Sequence, residues 1–450
     1  MHRQNRLTCA PLLALLLTTT QPASAAATLS LHGSNTVGAK LAPECARSYL
    51  LASGATDVKQ RAGTVENEQR LQADDGRIID IAAHGSGTAF SALLDDSADI
   101  GMASRPIKTQ ERAALAKAGD MTSAEAEQTI AMDGLAVLVN RENPVSALTI
   151  EQIAQIFSGE IRNWREVGGS DAPITIYARD DKSGTWDTFA GLVLGERALA
   201  AGTTRFESND RLSDSVAADR NAIGFSGLAS VRQAKALAVA DGDSRPILPT
   251  RLSVATEDYP LSRRLFLYLR PDRISSAARA LVEHCQSARG QQIAEQVGFV
   301  SQDIIELKQE QIDNAPSAYR SISARSHRLS VNFRFREGNA QLDNKALRDL
   351  QRLADFMRDP AQQRAQIQLV GFNDGHSHGE RDELISQFRA LAVQAELMKQ
   401  GIAVHRMIGV GAFQPVAAAG NDNAAAKNGR VEVWLSRELA AAPDTSASGR

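Results

Sequence analysis

A chain of 450 residues, 43% hydrophobic and 23% charged, has room for about three domains and the composition of an ordinary soluble globular protein. Its formal charge of −3 at pH 7 argues against a nucleic-acid partner. Beyond the N-terminus no apolar run is long enough to span a bilayer.

The first 25 residues carry the pattern of a cleaved export signal. Arg3 and Arg6 form a basic start, Pro11 to Leu17 a short apolar core, and Ala23-Ser24-Ala25 a small-residue cleavage site. The mature chain is expected to begin near Ala26, with its formal charge lowered to −5 by loss of the two arginines. Cys9 precedes the apolar core and is lost with it. Cys45 and Cys285 remain, and an oxidising compartment permits one disulfide between them; two unpaired buried thiols are the alternative. No Cys/His cluster has the spacing of a metal site, and no cofactor motif stands out.

From about residue 28 to 305, short strand-like apolar runs alternate with amphipathic helix-like ones between Gly, Ser, Asp and Pro punctuation, which is α/β order. TIEQIAQIFSG illustrates the helices. Thr149 and Gln152 fit a capping box, Ile153, Ile156 and Phe157 share a face, and Gly159 suits the stop.

Three strand-to-helix loops in this unit share one composition: Gly33-Ser34-Asn35-Thr36, Gly85-Ser86-Gly87-Thr88 and Ser183-Gly184-Thr185, the last preceded by Arg179. Each combines hydroxyls with a glycine that lets backbone approach closely, a combination suited to an oxyanion; a guanidinium adds a fork of donors. Arg179 and Ser183 then read as one wall of a pocket that the other two loops complete.

The segments GSNTV, GSGT, ADIGMASRPI, DGLAVLVN, FSGEIRNW with Trp164, ARDDKSGTWDTF, AIGFSGLA and SARGQQIAEQVGF occur in this order. As a set they resemble the phosphate-binding proteins of ABC phosphate importers over residues 28 to 305. The resemblance implies a two-lobed periplasmic-binding-protein fold of the second topological type within residues 26–305. Lobe 1 would combine about 28–130 with 250–305, lobe 2 would span about 131–249, and the ligand would lie between them. It implies phosphate contacts from Ser34, Thr36, Ser86, Gly87, Thr88, Arg179, Ser183, Gly184 and Thr185. One departure stands out. The family commonly has an aspartate after the Ser of the ADIGMAS segment, which accepts a hydrogen bond from protonated phosphate and repels sulfate; this chain has Arg105, expected as a further anion contact that broadens selectivity, the alternative being a pair with a surface acid. Asp99, Asp180 and Asp181 are candidates for the missing acceptor.

Residues 306–326 are polar with little periodicity and read as a linker. Beyond it RLSVNFRF alternates as a strand, NKALRDLQRLADFM repeats at helical spacing, QIQLVGF is again strand-like, ALAVQAELMKQG is a helix ending at Gly401, and RVEVWL alternates. These elements make a small α+β domain of βαβαβ type over 327–437, followed by a tail, 438–450, of disorder-prone composition. Asp374 and Arg389, the latter expected to open the second helix, offer a carboxylate and a guanidinium to a zwitterion. FRFREGNAQLD, GFND, ISQFRALAV, GVGAFQP and KNGRVEV resemble an OmpA-like peptidoglycan-binding domain. The resemblance implies that Asp374 and Arg389 grip the diaminopimelate of a stem peptide, assisted by Asn373, Asn428 and Arg430. Asn373, Ser377, Asp382 and Gly429 depart from the usual pattern. His376 and His378 lack the further ligands a metal needs.

The resulting expectation is a non-enzymatic periplasmic binding protein for phosphate or a similar oxyanion, held non-covalently on peptidoglycan or near the inner face of the outer membrane, with an ABC permease as a further partner. The alternative is a structural envelope protein whose lobes have lost or changed ligand. A phosphatase lacks both a metal cluster and a nucleophile–base pair.

Overall fold

The computed structural model describes residues 28–181, 183–308, 312, 314–336, 341–374, 379–418 and 427–437. The export signal, His376, Ser377, His378 and the tail from 438 lie outside the described residues.

Strands of the first unit join one mixed sheet that changes lobe along a single strand. On one side Thr28–Gly33 pairs in parallel with Ile78–Ala83 and Ile100–Ala103, and Ile100–Ala103 pairs antiparallel with Ser262–Tyr268. On the other, Ala222–Gly227 lies beside Thr175–Arg179 and then Thr204–Phe206. Glu127–Val139 belongs to both: its residues up to Gly134 face Ser262–Tyr268, and those from Leu135 face Ala222–Gly227. Buried along nearly its whole length, it opens on Glu127, Gln128 and Thr129 and from Ile130 reads as an apolar run interrupted by Asp133. It is the first crossing between the lobes. Tyr259 and Leu261 still pack in the lobe 2 core, so the chain returns to lobe 1 just before Ser262 rather than at about 250. Ser262–Tyr268, which receives this return and pairs within lobe 1, is termed the second crossing strand.

Each lobe has its own core. Leu31, Val37, Ile81, Met102, Leu265 and Leu281 belong to the first; Val137, Ile153, Phe157, Phe189, Phe225 and Val239 to the second. The helix Ile150–Ser158 forms as expected, with the Thr149 and Gln152 side chains capping each other's backbone N–H and Gly159 ending it at φ +81°. Cys45 and Cys285 are neighbouring buried free thiols, and contact with Cys45 pushes the Cys285 thiol well up from its usual value.

The C-terminal unit is a five-stranded sheet covered by Asn344–Arg358 and Glu380–Lys399. Its strand order is Glu306–Leu307, Ser326–Arg334, Arg430–Arg437, Ala365–Gly371, Val404–Gly409. Three expectations need correction. Within 306–326, read as a linker, Glu306–Leu307 joins the sheet and Ser317–Ser323 is a helix whose Tyr319 and Ile322 are buried. Val404–Gly409 adds a strand parallel to Ala365–Gly371, giving βαβαββ. The second helix begins at Glu380, so Arg389 lies in its middle.

Candidate functional site

A cleft of about 940 Å³ opens between the lobes, lined by Asn35, Thr36, Asp133, Arg179, Ser183, Gly184 and Thr185 among others. At its base the lobes touch: the Thr36 hydroxyl donates to the Gly184 carbonyl oxygen at 3.1 Å. Gly184 allows this approach between the lobes, and Gly33 a close approach within lobe 1. At Gly33, φ +140°, an added Cβ would stand 2.0 Å from the Met102 carbonyl oxygen; at Gly184 it would stand 2.6 Å from Thr36 Oγ1.

The three loops converge, and what they converge on is the Arg263 guanidinium. Its Nη2 donates to Thr36 Oγ1 at 2.8 Å and to the Gly184 carbonyl at 3.2 Å, and its Nη1 to Ser104 Oγ at 2.9 Å. Ser104 in turn lies 3.2 Å from Ser86 Oγ, which links the second loop. Asp133 Oδ2 accepts from Nε and Nη2 at 3.2 and 3.1 Å, balancing the charge. Burial pulls the Arg263 pKa down while Asp133 pulls it back up. Burial also raises the Asp187 carboxyl, with Arg263 opposing that rise.

Arg179 is buried on the cleft wall, its Nε and Nη2 donating to the carbonyls of Phe206 at 3.1 Å and Glu207 at 2.5 Å. Burial lowers its pKa, with Asp180 acting the other way. Ser183 caps the short helix Gly184–Phe189, accepting from the N–H groups of Thr185 and Trp186. Ser34 is buried, Thr88 donates locally to the Gly85 carbonyl, and neither they nor Gly87 line the cleft.

Arg105 is not brought to the site. Its guanidinium forks onto Glu111 at 2.8 and 2.7 Å and lies over the Phe90 ring, because the following helix presents that acid. Asp99 accepts from the Ser30 N–H, and Asp181 pairs with Arg205. Of the carboxylates weighed for an acceptor, none reaches the point where the loops meet; Asp133, in the DGLAVLVN segment, does. Sequence reasoning missed Arg263, Asp133 and Ser104. The one available signal was charge inside apolar strand runs, in MDGLAVLV and SRRLFLY.

In the C-terminal unit Asp374 and Arg389 come together, with Nη2 3.8 Å from Oδ2. Arg389 Nη1 donates to Asn373 Oδ1 at 2.7 Å and to the Phe372 carbonyl at 3.0 Å. Gly429 makes room, since an added Cβ would stand 2.7 Å from the guanidinium carbon. Asn428 and Arg430 do not join them. Asn428 bonds Val416 and Ala417 backbone, whereas Arg430 is buried against the Phe372 ring and pairs with Glu432.

Two lobes joined by paired crossings, with polar loops meeting between them, define a hinged binding protein. The chain belongs to the PBP superfamily, whose domain model matches residues 39–286. Residues 334–429 match the OmpA family. The chain is 30% identical over 266 residues to Protein SphX of Synechococcus elongatus, covering 56% of this chain and 77% of that one. It is 27% identical over 244 residues to the phosphate-binding protein PstS of Staphylococcus haemolyticus, covering 52% and 75%. The crystal structure of a possible phosphate-binding protein from Planctomyces limnophilus superposes with a TM-score of 0.50 at 24% identity, covering 62% of this chain and 94% of that one, and supports the fold.

Proposed function

We propose that this chain is a periplasmic solute-binding protein for phosphate or a similar oxyanion, tethered without covalent linkage to peptidoglycan by its OmpA-family domain. The observation that carries the reading is the meeting of the Thr36 and Ser104 hydroxyls of lobe 1 with the Gly184 carbonyl of lobe 2 around one buried guanidinium at the interlobe crossings. An anion entering there finds Arg263, Arg179 and the Thr36, Ser104 and Ser183 hydroxyls. Thr36 gives up its bond to the Gly184 carbonyl and donates to the anion. Closure replaces the anion's water by fixed donors, and release follows opening. Asp133 accepts a hydrogen bond from a protonated oxyanion, which favours hydrogenphosphate over sulfate. The names of relatives such as PstS support phosphate as the ligand. Binding and release require no bond making.

The tether rests on Asp374 and Arg389, which receive the ammonium and carboxylate of a diaminopimelate stem. Export by the N-terminal signal puts both domains in the compartment where these ligands meet. Equilibrium dialysis with labelled phosphate and co-sedimentation with peptidoglycan test the two halves separately. One phosphate per chain, and sedimentation abolished in Asp374→Ala, are expected; a wild-type chain that retains no phosphate contradicts the first half.

A second reading has one observation in its favour. Arg263 already occupies hydroxyls that an anion would use, as in a lobe pair that has exchanged its ligand for an internal ion pair. A structural envelope protein of this kind would sediment with peptidoglycan and leave phosphate at its bulk concentration.

A further inference from the structure

The contact between the C-terminal domain and the binding unit is built largely from charge, and it lies on the interlobe crossings. The turn before the second crossing strand carries Glu257 and Asp258. Asp258, 2% exposed, accepts from Arg328 at 2.7 Å and Asn332 at 2.9 Å, with Arg334 and Arg430 3.5 and 3.6 Å away. The Thr256 carbonyl accepts from Arg334 at 2.9 Å and Asn332 at 3.1 Å. Arg264 forks onto Glu257 at 2.9 and 3.0 Å and reaches across to Asp343 at 2.7 Å. Glu257 sits at φ +62°, a costly conformation for a residue with a side chain, held by these partners.

The same domain grips both lobes. Asn344 donates to the Thr122 carbonyl at 2.9 Å, and Arg348 bonds Gln128, both in lobe 1. Val416 packs into the lobe 2 core, and Gly242 lies so near Ala418 that an added Cβ would stand 2.7 Å from its methyl. Lobe opening therefore moves two surfaces that one rigid body touches. Neighbouring side chains on a strand point to opposite faces, so Arg263 reaches Thr36 at the contact between the lobes and Arg264 the domain contact.

We propose that docking of the C-terminal domain and closure of the lobes on an oxyanion are thermodynamically coupled through the second crossing strand. The docked domain holds Glu257 to Arg264 in the arrangement that delivers Arg263 to Thr36, Ser104 and Gly184. Linkage is reciprocal, so bound anion tightens the docking by the same factor as docking tightens the anion. The proposal rests on the oxyanion reading above.

The test uses full-length chain and substitutions outside the cleft. Asp343→Asn keeps the helix cap of Asn344–Arg358 and removes the charge facing Arg264; Asp343→Arg places like charge there. Amide exchange over 256–264 and 343–349 reads how far the contact has opened, and calorimetry reads phosphate affinity. Expected is a graded loss, about five-fold or more in the reversed variant, that follows the exchange, with phosphate slowing exchange over both segments in wild type. Unchanged affinity in variants whose contact has opened overturns the coupling and leaves the binding function standing. Wild type that binds no phosphate overturns the function, and the coupling with it.

Discussion

Arg263 and Asp133 lie directly opposite one another on the two strands that cross between the lobes, at paired positions of the same antiparallel ladder. Their ion pair, 3.1 Å and buried on both sides, sits at the pivot, with Asp133 lining the cleft. A charge pair there serves two ends. It fixes the register of the crossings, and it holds a guanidinium where the Thr36 and Ser104 hydroxyls of lobe 1 meet the Gly184 carbonyl of lobe 2.

Removing one partner strands the other. Asp133→Asn leaves Arg263 buried without its ion-pair partner and with only the more distant Asp187 to offset its charge, and loss of about 3 kcal/mol is expected from urea unfolding. The double variant Asp133→Asn with Arg263→Gln recovers part of that loss, because no uncompensated charge remains.

Gly184→Ala separates closure from folding. Its methyl meets Thr36 of the other lobe at 2.6 Å, and the three atoms nearest to it all belong to Thr36. Overpacking of about 1–3 kcal/mol falls on the contact between the lobes, so calorimetry is expected to show phosphate bound about tenfold more weakly, with the core of each lobe left intact.

The domain contact is expected to fail in acid. Arg264, Arg334 and Lys345 outweigh desolvation and hold the Glu257 pKa down at about 2, against 4.5 ordinarily; Asp258 is depressed further by Arg328, Arg430, Arg334 and Arg245. A depressed folded pKa gives stability that is full above the unfolded value and is lost as pH falls through the folded one. Protection factors over 256–264, in which the intrinsic pH dependence of amide exchange is divided out, are therefore expected to fall from about pH 4.5 down to about pH 2, and to stay level from pH 5 to 7.

Cys285 is buried, and Cys45 beside it raises its pKa, so the reactive thiolate is suppressed. Folded protein is expected to resist Ellman's reagent at neutral pH and to release two thiols on denaturation. No thiols after denaturation would mean that the pair has oxidised to the disulfide that its proximity permits.

Features set by short stretches of chain were legible in the sequence. Gly33, Ser34 and Thr36, like Ser183 and Gly184, announce a close-approach loop through neighbouring residue types, and Thr149 with Gln152 announces a cap over four positions. Arg263 and Asp133 stand 130 positions apart, and only sheet register makes them partners. Arg105 was visible as a departure from a family pattern, yet its direction is decided by Glu111 on the next helix. Val404–Gly409 escaped because VHRMIG lacks strict alternation and stays only half buried. The two-residue strand and seven-residue helix inside 306–326 are too short for any period to show. Asn428 and Arg430 were expected at a ligand; their burial comes from packing on Phe372, Val416 and Ala417, contacts that spacing does not reveal.

Calorimetric titration of the full-length chain, stripped of ligand, with phosphate and then sulfate is the most direct measurement. Wild type should bind one phosphate saturably and sulfate more weakly. Thr36→Val, which removes one hydroxyl and keeps its shape, should weaken phosphate about tenfold or more while the circular dichroism spectrum stays the same. Absence of saturable heat with either anion, or a Thr36→Val titration that matches wild type, would contradict an oxyanion held where the three loops meet Arg263.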